Sequence, residues 1–214
     1  MKPLIVTGTD TGVGKTVVAA MLTLALEGVY WKPIQSGTAG GTDRERVRAL
    51  TGLPEDRFRP ERYLLREALS PHRAAELEDI RIDPSELELP DIPDDSRLII
   101  EGAGGVLVPI SRDILQIELF SRWRAPVVLV ARTSLGTINH TLLSLEALKH
   151  RAVDILGVIF VGDAMADSER TIVELGGAKR LGRLPFLPAL DAGALGRAFE
   201  AHFKAEDFEQ TYCR

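Results

Sequence analysis

Gly8-Thr9-Asp10-Thr11-Gly12-Val13-Gly14-Lys15-Thr16 follows the apolar run Leu4-Ile5-Val6 and opens a stretch in which Val18, Met21, Leu22 and Ala25 recur at helical spacing until Gly28. Strand, glycine loop and helix in that order predict a phosphate-binding loop. The glycines let backbone N–H groups approach a polyphosphate, and the helix N-terminus adds partial positive charge. Lys15 reaches the outer phosphates and Thr16 offers its hydroxyl to Mg2+. Gly12, Val13, Gly14, Lys15, Thr16 and Val17 are therefore candidate nucleotide contacts. The spacing departs from the usual pattern, because Gly8 precedes Gly14 by six positions where five are expected. A tight glycine turn is the plain alternative, and the Gly-Lys-Thr ending weighs against it.

Outward from this loop, Val29 to Ile34 reads as a second strand and Asp43 to Leu50 as a helix. Residues 54–96, richer in Pro and charge, read as an irregular excursion holding one short helix near Ser70-Pro71-His72-Arg73-Ala74-Ala75-Glu76, with Pro in its first turn. Strands are then expected at Arg97 to Ile100, Val127 to Ala131, Ile155 to Val161 and Leu181 to Leu184. Helices are expected at Asp113 to Trp123, Thr137 to Arg151, Ser168 to Leu175 and Ala192 to about Lys204. Several strands are apolar on both faces, as in a parallel sheet buried between helices. The expected fold is α/β: one three-layer α/β/α domain over residues 1–214 with a mostly parallel central sheet, of the P-loop NTPase type. Ligands in such folds sit outside the carboxyl ends of the strands, which directs attention to the loops after Val6, Ile34, Ile100, Ala131 and Val161.

The 214 residues carry 26 Lys plus Arg against 31 Asp plus Glu, a formal charge of −5, with 45% hydrophobic residues. That is enough for a real core and too little positive charge for general nucleic-acid binding, which lives on counterion release. The apolar stretches Pro126 to Ala131 and Ile155 to Gly162 fall far short of the roughly 18 residues a membrane span needs. Met1-Lys2-Pro3 leads into a short apolar run unlike a secretory signal, so a cytoplasmic location is expected. Cys213, the one cysteine, has no disulfide partner and no neighbours at metal-ligand spacing, and is read as incidental.

Two further clusters carry chemistry. Lys32-Pro33-Ile34-Gln35-Ser36-Gly37 ends the second strand, which P-loop folds normally set beside the loop's strand, so Lys32 and Ser36 are expected to face the terminal phosphate. An isolated lysine is otherwise a solvated surface residue. Glu101-Gly102-Ala103-Gly104-Gly105 follows an apolar strand, the place where P-loop enzymes set a metal-linked carboxylate. A surface carboxylate before a glycine turn is the alternative. Asp43 is a candidate second carboxylate for the same ion, or else a helix N-cap.

Gly8 to Thr16, Lys32 to Gly37, Asp43, Ser70-Pro71-His72, Glu101 to Gly105 and Gly136-Thr137-Ile138-Asn139-His140 together resemble the dethiobiotin synthetases, in order and approximate spacing over nearly the whole chain. The resemblance implies an ATP- and Mg2+-dependent cyclo-ligase of biotin synthesis that makes dethiobiotin, ADP and phosphate from 7,8-diaminopelargonate and CO2. The route runs through a carbamate and a carbamic-phosphoric anhydride, and the enzyme is a homodimer. It assigns catalysis to Lys15 and Lys32, with Lys32 the principal residue neutralising the carbamate and the transferring phosphoryl group. Thr16, Asp43 and Glu101 would bind Mg2+. Thr11 and Ser36 would contact the diamine, with the backbone of Gly102 to Gly105 close by, and Glu101, Gly102, Ala103 and Gly104 would also border the nucleotide. The loop Gly136, Thr137, Ile138, Asn139 opens a helix whose free N–H groups suit a carboxylate. By resemblance it receives the substrate's carboxyl tail from the other subunit, while plain helix capping by Thr137 and Asn139 is the alternative.

One departure concerns the base. The family usually reads adenine with an Asn, often as Asn-Asp, where this chain has Phe160-Val161-Gly162-Asp163. Gly162, Pro185, Phe186 and Leu187 are left to cradle the base, and relaxed nucleotide preference is expected. Three rivals remain. A partition or septum-positioning ATPase switch usually has a second lysine early in the loop, where this chain has Thr9 and Asp10. A cobyrinate-type amidotransferase needs a nucleophilic cysteine, and Cys213 is too near the terminus. A pure binding module leaves Lys32, Asp43 and Glu101 unexplained.

Overall fold

The computed structural model describes residues 3–209, so Cys213 lies outside the described residues. Strand β1 (Leu4–Gly8) runs into the glycine loop and helix α1 (Lys15–Ala25). After β2 (Val29–Trp31) and β3 (Ile34–Ser36) come α2 (Asp43–Thr51), β4 (Phe58–Arg59), β5 (Tyr63–Leu65) and α3 (Pro71–Leu77). The chain then alternates through β6 (Leu98–Gly105), α4 (Gln116–Trp123), β7 (Val127–Arg132), α5 (Thr137–His150), β8 (Ile155–Val161), α6 (Ala166–Gly176), β9 (Arg180–Leu184), α7 (Ala192–His202) and α8 (Glu206–Glu209).

Seven of the strands form one sheet in the order β4-β2-β6-β1-β7-β8-β9, every pairing of which is parallel. Alternate side chains serve two cores. Ile5, Leu98, Ile100, Val127 and Leu129 pack under α3, α4, α5 and α6. Leu4, Val6, Tyr30, Ile99 and Val128 pack under α1, α2 and α7. Burying both faces of β1, β6 and β7 at roughly 1.5–3 kcal/mol per large aliphatic side chain explains their unbroken apolar sequences.

The structure corrects four expectations. Val29 to Ile34 is not one strand: Pro33 has no N–H for a ladder and cannot continue a central strand. The chain leaves the main sheet at Lys32, and β3 pairs instead with β5 in a small second sheet. Strand β2 does not neighbour β1, since β6 lies between them and aligns Glu101 with Val6 and Ile99 with Tyr30. The stretch 54–96 holds an edge strand of the main sheet and a strand of the second one, so it is less irregular than its composition implies. Helix α4 starts at Gln116 and not at Asp113, because residues 110–115 first fold back on themselves through Ile110 N–H to Ile114 C=O and a bridge between Pro109 and Leu115. Elsewhere the observed elements lie within two residues of the expected bounds, apart from the longer β6.

The irregular loop spacing has a physical cause. Gly8 is the last residue of β1, aligned with Gly105 and Val130. A Cβ there would stand 2.7 Å from Val13 Cγ2. The absence of a side chain at Gly8 therefore admits Val13 to the core and leaves room for Asp10 C=O and the Lys15 stem.

Candidate active site

The carboxyl ends of β1, β2 and β6, with the mouth of the small sheet, bound a cleft of about 700 Å3. Gly12 and Gly14 turn the loop with φ of 73° and 102°, a conformation that glycine adopts without the Cβ penalty of other residues. Gly14 is the N-cap of α1 and has no side chain to occupy the free N–H groups, which leaves them for an anion. Lys15 lies along the loop with Nζ donating to the Asp10 carbonyl at 2.8 Å. Burial, reinforced by the Lys32 charge and opposed by Glu101, pushes the Lys15 ammonium down to about 8.

Thr16, Lys32, Asp43 and Glu101 converge on one point. Thr16 Oγ1 is 2.9 Å from Glu101 Oε1 and 3.2 Å from Asp43 Oδ1. Lys32 Nζ pairs with Asp43 Oδ2 and lies 3.5 Å from Glu101 Oε1. Burial alone pushes Lys32 down, but the two carboxylates outweigh it and hold the ammonium above its ordinary value. The N-cap of α2 is Thr42, which forms a capping box with Glu45. That removes the cap reading of Asp43, whose carboxylate is free to face Lys32. Its N–H donates to Gln35 Oε1 at 3.1 Å, which fixes the start of the helix beside the cleft.

Two carboxylates and a hydroxyl within reach of one point are a donor set that fits Mg2+, a hard ion that takes oxygen ligands and completes its shell with water and phosphate. Among the described residues no group of three or more His, Cys, Asp or Glu is arranged to hold a metal alone.

Ser36, Thr11, Ala103 and Gly104 border the same cleft. The Ser36 hydroxyl is buried without a protein hydrogen-bond partner, and Thr11 Oγ1 stands 3.3 Å from where a Gly104 Cβ would be. Gly102 does not line the cleft. It lies under the side-chain amide of Gln116, which accepts from Ala103 N–H at 2.5 Å and donates to Gly105 C=O at 3.2 Å. Gln116 and Tyr30, whose hydroxyl donates to Glu101 Oε2 at 2.8 Å, are site residues that sequence reasoning missed. The available signal was a polar atom inside an apolar run, at position 30 between Val29 and Trp31 and at position 116 before Ile117.

A second cavity of about 630 Å3 adjoins the loop on the β8 side, lined by Gly12, Val13, Gly14, Val17, Pro185, Phe186 and Leu187. Gly162 stands behind Phe186, with φ of 124° and a Cβ position only 2.6 Å from Thr133 Oγ1. Its N–H donates to Leu184 C=O and its carbonyl accepts from Arg183 Nη1, both at 2.9 Å. Gly162 thus presents backbone already engaged by β9. Gly136, Thr137, Ile138 and Asn139 are not in either cavity of their own chain. Gly136 is the N-cap of α5 and no side chain caps it. Thr137 Oγ1 instead meets Thr141 Oγ1 at 3.4 Å and Asn139 is exposed, so the capping reading of both falls.

Among the described residues no helix is long and apolar enough to cross a membrane. A family model described as an AAA domain matches residues 2–194. The ATP-dependent dethiobiotin synthetase BioD of Rhodopseudomonas palustris (strain HaA2) is 56% identical over 207 residues, 97% of this chain and 96% of that protein. The protein of the same name from Rhizorhabdus wittichii is 54% identical over 207 residues, 97% of this chain and 98% of that one. Among solved structures, the septum site-determining protein MinD complexed with Mg-ADP from Pyrococcus horikoshii aligns at a TM-score of 0.54 and 16% identity, over 94% of this chain and 96% of that chain. That likeness is one of fold. With more than half its residues identical over nearly its full length, the chain belongs to the ATP-dependent dethiobiotin synthetase family.

Proposed function

We propose that the protein closes the ureido ring of dethiobiotin, consuming ATP, CO2 and 7,8-diaminopelargonate and releasing ADP and phosphate. The observation that carries this reading is the meeting of Lys32, Thr16, Asp43 and Glu101 at one end of the phosphate loop, in a cleft that Lys15 and Ser36, with its unpartnered hydroxyl, also line. One substrate amine adds to CO2 and loses a proton, giving a carbamate. A carbamate oxygen takes the γ-phosphoryl group, and ADP leaves. The second amine then attacks the carbamoyl carbon, loses its proton and expels phosphate. Each species is anionic, so fixed positive charge is the main catalytic resource. Lys15 holds the β- and γ-phosphates, and Lys32 neutralises the carbamate and the phosphoryl oxygens as charge develops. Ser36 and Thr11 orient the diamine, with Gly104 leaving room for it. Thr16, Asp43 and Glu101 would hold Mg2+, which supplies further neutralisation of the phosphate oxygens.

The base occupies the cavity beside Pro185, Phe186 and Leu187, and the free N–H groups of Gly136 to Asn139 take the carboxylate of a substrate held by a second subunit. The active form is therefore a homodimer of one-domain P-loop chains in the cytoplasm. The competing reading is an ATPase switch, favoured by the likeness in fold to MinD. Against it stand Thr9 and Asp10 in the loop and the acceptor side of the cleft. The two are separated by mixing protein with diaminopelargonate, bicarbonate, Mg2+ and ATP and following phosphate release. Release that depends on the diamine supports the ligase, and equal release without it overturns it.

A further inference from the structure

Tyr30 lies in the fully buried strand β2, its ring tilted against Phe58 at 6.3 Å between centroids. Its register partner is Ile99, two residues before Glu101 on β6. Residues two apart on a strand share a face, so Tyr30 and Glu101 project on the same side of the sheet as diagonal neighbours. The hydroxyl donates to Glu101 Oε2 at 2.8 Å. The other oxygen, Oε1, is the one that meets Thr16 and Lys32. Glu101 is 1% exposed, so no solvent competes for the oxygen that Tyr30 holds.

We propose that Tyr30 is a positioning residue for the reaction: its hydroxyl fixes the rotation of the Glu101 carboxylate so that one oxygen alone is offered to the divalent cation. The proposal rests on the reading of Glu101 as a metal ligand. Three features support it. Among the described residues, this is the one hydrogen bond that Oε2 makes. A buried phenol can donate one hydrogen and no more, which sets the direction of the bond. The carboxylate's last torsion is broad and two-fold, and with contacts at Oε1 alone, from Thr16 and Lys32, its plane is less well defined than with Oε2 held as well. Partners in the outer shell of a metal ligand typically govern affinity by about 10- to 100-fold.

The test compares ADP affinity with and without Mn2+, by calorimetry, in the wild-type protein and in Tyr30→Phe, Phe58→Leu and Glu101→Gln. In Tyr30→Phe the gain in ADP affinity brought by Mn2+ is expected to shrink about 10-fold or more, while metal-free ADP affinity stays within about twofold of wild type, because Tyr30 itself does not line the cleft. Phe58→Leu, which disturbs the same packing but keeps the hydroxyl, is expected to retain the full gain. If Tyr30→Phe keeps the full gain while Glu101→Gln loses it, the positioning role is overturned and the ligand reading stands. If Glu101→Gln keeps the gain, the ligand reading itself falls. Equal losses in Tyr30→Phe and Phe58→Leu reduce Tyr30 to core packing and overturn the proposal. Wild-type protein labelled at tyrosine Cζ with carbon-13 supplies a reading independent of any substitution. The Tyr30 signal must move when Mg2+ is added to the ADP complex, and a stationary signal overturns the proposal.

Discussion

Lys32 and Asp43 form an ion pair across the break between the two sheets, with Glu101 on the far side of the same ammonium. The lysine thus rests among the oxygens that suit Mg2+, and the two cations compete for them. Replacing Lys32 by Met is expected to lower kcat about 10²- to 10³-fold, the usual cost of losing one group aimed at developing charge. Nucleotide affinity should hold within about threefold, because that charge is needed mainly in the transition state. Mn2+ binding without nucleotide, followed by electron paramagnetic resonance, is expected to tighten about fivefold, the equivalent of one partly screened ion pair of ~1 kcal/mol. Weaker Mn2+ binding in the variant would contradict the competition.

Lys15 gives the pH dependence. With its ammonium pushed down to about 8 by burial in the free protein, bound phosphate must raise it again. Protonated lysine is the binding form, so ADP affinity should be flat below about pH 8. Above that point it should fall by up to about tenfold per pH unit, with uptake of close to one proton at pH ~9. Calorimetry in buffers of different ionisation enthalpy measures the uptake. Lys15→Arg, charged throughout the range, should remove the slope.

Gln116 clamps the glycine segment from both sides. Gln116→Leu keeps the volume and loses both bonds, at a cost of ~1–3 kcal/mol. For a chain of this size that lowers Tm by about 2–4 °C per kcal/mol. KM for the diamine should rise more than KM for ATP, because Gly104 and Ala103 face the acceptor side of the cleft.

Around the base, the absence of a side chain at Gly162 predicts loose selection. GTP and CTP turnover is expected within about a hundredfold of ATP, a discrimination below ~2.7 kcal/mol. Gly162→Asn should not restore selectivity, since φ of 124° and the Thr133 hydroxyl 2.6 Å from the Cβ position leave no relaxed place for it. Instead it should destabilise the protein by about 1–3 kcal/mol, measured by thermal denaturation.

The phosphate loop, the apolar strands and the alternation of helix and strand were legible because each is a local pattern. Strand order was not. Nothing near Val29 or Leu98 says that β6 inserts between β1 and β2, a pairing of segments about seventy residues apart that is decided by packing. Lys32, Asp43 and Glu101 could be named from their local settings, whereas the bond from Tyr30 to Glu101 depends on register. Gln116 stayed hidden for a related reason: the expected helix began at Asp113, which would have made position 116 an interior residue and not the first residue of α4.

Pro33 divides the cleft between two foundations. The nucleotide side stands on the seven-stranded sheet, and the acceptor side, with Ser36 on β3, stands on a two-stranded sheet of its own. The paired segments 34–36 and 63–65, which lie outside the main sheet, can thus vary in sequence without shifting the register of β1 against β6 and β7. A chain built this way can exchange the molecule that receives the phosphoryl group while its grip on the donor is inherited unchanged.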